Sequence, residues 1–199
     1  MLITDYLFEN VKPIWDAYLE HDFIMDMGNG NLCKDKFKDY LIQDYLYLKE
    51  YAKVYAMALV KCENIEQMKF CQNSINGILE DESATHIWYL KNFGEKIEEL
   101  EDYKIKEANE NYTSYMKSIA LTGDLLDTMV SVLPCAWSYY YIGKKLKETY
   151  KENLEDNFYK SWIESYSCEG YEQVARTSIE FVNTLSENID ENKKEKLKD

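Results

Sequence analysis

The sequence is poor in the residues that turn a chain. Seven glycines and two prolines stand among 199 residues, less than half the roughly 12% of an average chain. Tight turns between strands draw on these residues, so a β-sandwich or β-barrel is excluded. Neither GxGxxG nor GxxxxGK[ST] occurs, which removes the glycine-rich phosphate loops. Histidine is scarcer still. His21 and His86 are the only two, too few for a histidine-rich zinc or iron centre. Cys33, Cys62, Cys71, Cys135 and Cys168 contain no CxxC pair. An odd set without framework spacing reads as free thiols in a reducing compartment. Positive charge is also short. Twenty-three Lys and Arg stand against 37 Asp and Glu, a net charge of −14, whereas a phosphate backbone or an anionic lipid surface requires a basic face. No apolar run approaches the ~20 residues of a membrane-spanning helix. The N-terminal stretch carries Asp5 and Glu9 rather than a cationic leader, unlike a secretory signal. The expectation is a cytoplasmic protein that engages neither nucleic acid nor membrane.

What is present points to helices. Phe37, Tyr40, Leu41, Asp44, Tyr47, Leu48 and Tyr51 recur at i, i+3, i+4 and i+7, one face of an amphipathic helix. We expect helices over residues 4–20, with Thr4 as cap, and over 36–62. A third should run over 65–93 and stop at Gly94. Further helices are expected over 112–121, over 125–150 behind an Asp124 cap and with Pro134 inside, over 156–167, and over 170–188. Residues 21–35 read as a loop, 95–110 as an irregular solvated connection, and the last thirteen residues as a solvated end. The fold class is therefore all-α, a single domain over residues 1–199 with about seven helices around one core. Helical bundles often build their sites from polar side chains facing inward.

Three groups stand out on such faces. Cys135 follows Pro134 in LPCAWSYYYIG. A proline inside a helix frees a carbonyl and bends the axis, one way to present a small nucleophile, and Tyr139 shares its face at i+4. A buried apolar thiol is the plainer reading of Cys135. Asp44 lies amid Tyr40, Leu41, Tyr47, Leu48 and Tyr51 at helical spacing. A carboxylate there is buried and needs a partner, either a tyrosine hydroxyl or the amidine edge of a ligand. Glu82 and His86 form an i, i+4 pair. Di-iron bundles use Glu-x-x-His at i, i+3 on two helices, so this pair reads as a structural hydrogen bond, and we expect no metal and no haem. The 18 tyrosines predict an interior lined with rings and hydroxyls, which suits a flat heteroaromatic ligand.

Together these segments resemble a known family. F-x-x-Y-L-x-Q-D-Y-x-Y-L at Phe37–Leu48, E-x-x-x-H from Glu82, N-Y-T-S-Y at Asn111–Tyr115, L-P-C-x-W-x-Y-x-x-I-G at Leu133–Gly143 and W-I-x-x-Y at Trp162–Tyr166 are similar to the TenA family, or thiaminase II, in order and spacing over nearly the whole chain. The resemblance implies a haem-oxygenase-like helical bundle without haem or other cofactor, typically a homotetramer. It implies hydrolysis of aminopyrimidines in thiamin salvage, with a small-molecule aminopyrimidine as the partner. By the resemblance Cys135 is the nucleophile and Asp44 holds the amidine edge of the ring. Tyr47, Tyr112 and Tyr166 are the hydrogen-bonding tyrosines, and Tyr139 stacks on the pyrimidine.

The family carries a further helix with a Tyr-Glu-x-x-Phe-Trp-like motif, whose glutamate serves as acid/base. That motif is absent from these 199 residues, and KKEKLKD reads as the polar start of a helix. A chain ending at Asp199 would be expected to turn over slowly. The alternative function is a non-catalytic pyrimidine-binding or regulatory protein of the same fold. A cofactor-independent oxidase is a second rival, because related folds host unrelated chemistries.

Overall fold

The structure, a computed structural model, describes residues 1–198, the side chains of residues 81–83 excepted. Ten α-helices and no strand occur among the described residues, so the fold is all-α as the scarcity of turn residues predicts. Two compact units are present, residues 33–132 and residues 1–32 with 133–199.

The unit of residues 33–132 is organised by α3 (Lys34–Leu59), which packs on α4 (Ile65–Asn76), α5 (Ser83–Asn92) and α6 (Glu107–Thr122). The predicted apolar face of α3 is buried through Phe37, Leu41, Asp44, Tyr47, Leu48 and Tyr51. The helix expected over 65–93 is interrupted. Residues Gly77–Glu82 wind as a π-helix between α4 and α5, and the wider turn re-aims everything that follows it. Gly94 ends α5 as expected, at φ 83°. The connection expected to be solvated holds a 3₁₀ turn, Ile97–Asp102, with Leu100 wholly buried. It is anchored because Leu100 is apolar among acidic neighbours. The helix expected over 112–121 begins earlier, at Glu107. Residues 125–132 of α7 (Leu125–Thr149) complete this unit. The backbone N–H of Asp127 donates to Asp124 Oδ1, and that of Asp124 donates to Asp127 Oδ2, both at 2.9 Å. This reciprocal cap satisfies donors that a helix start leaves open.

In the other unit, α1 (Ile3–Leu19) packs on α2 (Asp22–Asn29) and on α9 (Glu169–Leu185), which also meets α8 (Lys160–Ser167). Thr4 does not cap α1. It lies inside the helix, where its hydroxyl and N–H donate to Asn183 Oδ1 at 3.0 and 3.2 Å, because a buried hydroxyl needs a partner. The loop expected over 21–35 is mostly helix. His21 Nδ1 accepts from the Phe23 N–H at 3.2 Å to start α2, so its ring serves as a cap. Gly30, at φ 77°, closes α2. The residues expected to form a solvated end form α10 (Glu191–Lys196), capped by Asp190, and Leu197 is buried.

Residues 133–149 of α7 approach α8 at Gly143. A Cβ there would stand 2.8 Å from the Tyr166 carbonyl carbon and 2.9 Å from its Cβ. The absent side chain thus sets where α8 holds Tyr166. Gly143→Ala gains up to about 1 kcal/mol of helix propensity but overpacks backbone at a cost of about 1–3 kcal/mol. The expected net loss lowers the melting temperature by about 2–8 °C. An unchanged melting temperature in a thermal scan would show that α8 yields without cost.

Candidate active site

Of the six expected site residues, Asp44, Tyr47 and Tyr112 lie in the unit of residues 33–132, and Cys135, Tyr139 and Tyr166 in the other. Asp44 is 9% exposed on the inner face of α3. Its Oδ2 accepts from the Tyr40 hydroxyl one turn earlier at 3.0 Å, the tyrosine partner anticipated from spacing. The same oxygen lies 2.6 Å from Nε2 of His86 on α5. His86 has no exposed surface. Two donors on one oxygen fix the plane of the carboxylate, and charge-assisted hydrogen bonds of this kind are shorter and stronger than neutral ones.

The His86–Asp44 bond is the feature that sequence reasoning missed. The expected partner of His86 was Glu82, whose side chain lies outside the described residues. The bond spans 42 residues, and the π segment before α5 turns the helix after it. The sequence signal was present nonetheless. A lone histidine and a lone aspartate, each on an apolar helix face, are natural candidates to satisfy one another.

Tyr47 is buried, and its ring lies parallel to that of Tyr112 on α6, centroids 5.7 Å apart and planes 8° apart. The Tyr47 ring also stacks on Tyr51 at 5.3 Å and 22°. The Tyr47 hydroxyl points to Met116 Sδ, 4.0 Å away. Tyr112, the outer ring of this stack, is 36% exposed. Stacked rings thus lead from the buried Tyr51 and Tyr47 to the partly exposed Tyr112. Tyr51 donates to the Val132 carbonyl at 3.0 Å.

In the other unit, Cys135 is 7% exposed on α7. Tyr139, one turn later, is half-buried and packs at 4.7 Å and 54° against Tyr166 of α8. Trp162 and Tyr171 complete this cluster, 4.6 and 4.8 Å from Tyr166. Another side of α7 is held by Trp137 and Tyr141. Trp137 stacks on Phe8 at 5.3 Å and meets Trp15 edge-on. Tyr141 donates to Asp16 at 2.7 Å. Burial, and then the Asp16 bond, push the Tyr141 hydroxyl up to about 12, so it stays a donor at neutral pH. The segment bearing Cys135 and Tyr139 is thus braced by aromatic packing, which suits a site that needs fixed geometry. Among the described residues no three His, Cys, Asp or Glu side chains cluster as metal ligands. No described helix is long and apolar enough to cross a membrane.

Comparison with known proteins bears on the whole chain. The TENA/THI-4/PQQC family matches residues 8–199. A protein of Helicobacter pylori named aminopyrimidine aminohydrolase is 35% identical over all of this chain and 91% of its own length. One of the same name from Halalkalibacterium halodurans is 36% identical over 96% of this chain and 85% of its own. A solved TenA homologue from Pyrococcus furiosus superposes with a TM-score of 0.88 at 22% identity, covering 99% of this chain and 91% of that one. A solved protein of Silicibacter, titled a TenA family transcription regulator, superposes with a TM-score of 0.86 at 26% identity, covering 98% and 88%. With nearly every residue matched, the chain belongs to the TENA/THI-4/PQQC family.

Proposed function

We propose that this protein hydrolyses aminopyrimidines in thiamin salvage, as a cytoplasmic homotetramer. It converts thiamin, or its degradation product 4-amino-5-aminomethyl-2-methylpyrimidine, to 4-amino-5-hydroxymethyl-2-methylpyrimidine. The observation that carries this reading is the full-length likeness to proteins named aminopyrimidine aminohydrolase. The environments of Asp44 and Cys135 support it.

In this reading Asp44 binds the amidine edge of the ring, its carboxylate accepting from the amino group and from the adjacent ring nitrogen once that nitrogen is protonated. Tyr40 and His86 hold that carboxylate in plane, so little reorganisation is needed when substrate arrives. Tyr139 stacks on the ring, and Tyr47, Tyr112 and Tyr166 supply hydroxyls. The Cys135 thiolate adds to an electrophilic ring carbon. The electron pair moves through the ring to the exocyclic carbon and expels the leaving group, an amine that takes up a proton or, from thiamin, the neutral thiazole. Water then adds to the exocyclic methylene and loses a proton. The pair returns through the ring and expels the thiolate. One difficult substitution becomes two easier steps, and the net change is amine plus water to alcohol plus ammonia, or thiamin plus water to alcohol plus thiazole plus a proton.

The test is a side-by-side assay of thiamin and the aminomethyl pyrimidine, following the hydroxymethyl product by chromatography. Turnover of either supports the hydrolase. Saturable binding of pyrimidine without product would instead identify a non-catalytic binding protein, the reading favoured by the Silicibacter relative named a transcription regulator.

A further inference from the structure

Cys62 and Cys71 meet at the corner between α3 and α4, Sγ to Sγ 3.7 Å, and neither is among the residues assigned to the reaction. We propose that this pair is a reversible disulfide site, closed by a low-molecular-weight disulfide as oxidant. A disulfide has S–S near 2.05 Å, so the sulfurs need approach by only about 1.7 Å, within reach of side-chain rotation about Cα–Cβ.

Burial pushes both thiols up but encloses them unequally. Cys71 is wholly enclosed, and its thiol is pushed up to about 12, first by burial and then by the neighbouring Cys62. Cys62 is half-buried in the turn after α3, its Sγ donating weakly to the Ala58 carbonyl at 3.5 Å. A dissolved oxidant therefore reaches Cys62, and Cys71 reacts only from within.

The chemistry closes in two exchanges. The Cys62 thiolate attacks one sulfur of R–S–S–R, forms Cys62–S–S–R and releases RS⁻, which takes a proton. Cys71 then gives up its proton and attacks Cys62 Sγ, breaking the bond to R and releasing the second thiolate, which also takes a proton. Two electrons pass from the cysteine pair to the external disulfide, and two RSH leave. Capping Cys62 as a mixed disulfide also removes its charge from beside Cys71, which eases ionisation of the resolving thiol. The closed ring ties the end of α3 to α4, and excess RSH reopens it by the reverse exchange.

The sequence makes the bond easy to read. Trypsin cuts after Lys61, Lys69 and Lys91, placing the two cysteines on separate peptides, 62–69 and 70–91. The native full chain is incubated with oxidised glutathione, alkylated in denaturant and digested without reduction. The expected mass map shows these two peptides joined, and separated after reductant. In Cys71→Ser the expected product is a glutathione adduct retained on Cys62. The proposal is overturned if the wild-type map shows Cys62 and Cys71 both alkylated while the exposed Cys33 and Cys168 carry glutathione. It is equally overturned if the peptides join only when denaturant precedes the oxidant. The wild-type map decides even where Cys71→Ser does not fold.

Discussion

Replacing Cys135 with alanine or serine is expected to lower aminopyrimidine hydrolysis by about 10³-fold or more, the scale on which loss of a covalent nucleophile is felt, while binding of the pyrimidine product persists. A thiol is intrinsically a better nucleophile than a hydroxyl. A serine hydroxyl at the same place has a far higher pKa and needs a dedicated general base, so Cys135→Ser should fare no better than Cys135→Ala. Neither change is large enough to upset the packing of α7, which Trp15, Trp137 and Tyr141 brace from another side. Product affinity by calorimetry should therefore stay within a few-fold of wild type. Near-normal turnover by the alanine variant would remove Cys135 from the reaction and leave it as an ordinary enclosed thiol.

Cys135 and Asp44 were legible in the sequence for a physical reason. Each is a polar or reactive group placed at helical spacing among apolar residues, and periodicity alone predicts that such a group faces inward. The same periodicity fixed α3 to within a few residues, and Gly94 and Asp124 marked helix ends through local backbone chemistry that needs no tertiary partner. Where the structure departs from expectation, long-range contacts decide. Helix α2 is eight residues long and held by the His21 cap and Gly30, too short for a periodic signal. Asn157 on the same unit donates to the Met27 and Gly28 carbonyls at 2.9 Å, a contact no local window contains. Capping propensity is local and marks Thr4 as a cap, whereas the burial that gives it Asn183 instead is not local. The π segment Gly77–Glu82 is invisible to a 3.6-residue template, so the direction of His86 could not be read. The reaction itself came from resemblance, since no arrangement of thiol, carboxylate and tyrosine specifies a pyrimidine.

Asp44→Asn is expected to weaken binding of the hydroxymethyl pyrimidine by about 10–150-fold, and to lower turnover at least as much. The substitution keeps the shape of the side chain and removes its charge. A hydrogen bond to a charged group contributes about 1.5–3 kcal/mol, and an amide, with one acceptor oxygen, cannot match both N–H groups of a protonated amidine edge as a carboxylate does. The measurement is best made by calorimetry in a Cys135→Ala background, where turnover cannot consume the ligand. Two further substitutions separate binding from architecture. Tyr40→Phe removes one donor from Asp44 Oδ2 and leaves the charge, so affinity should fall less than in Asp44→Asn. His86→Gln keeps a donor on α5 but shortens its reach, so it should loosen the carboxylate and cost stability as well, because His86 is wholly buried. If Asp44 serves only to hold α3 to α5, the pattern inverts. Asp44→Asn and His86→Gln would then lower the melting temperature together while pyrimidine affinity stays at the wild-type value. The Asp44–His86 bond would in that case be a strut between two helices, and the amidine-binding role would have to pass to another polar group.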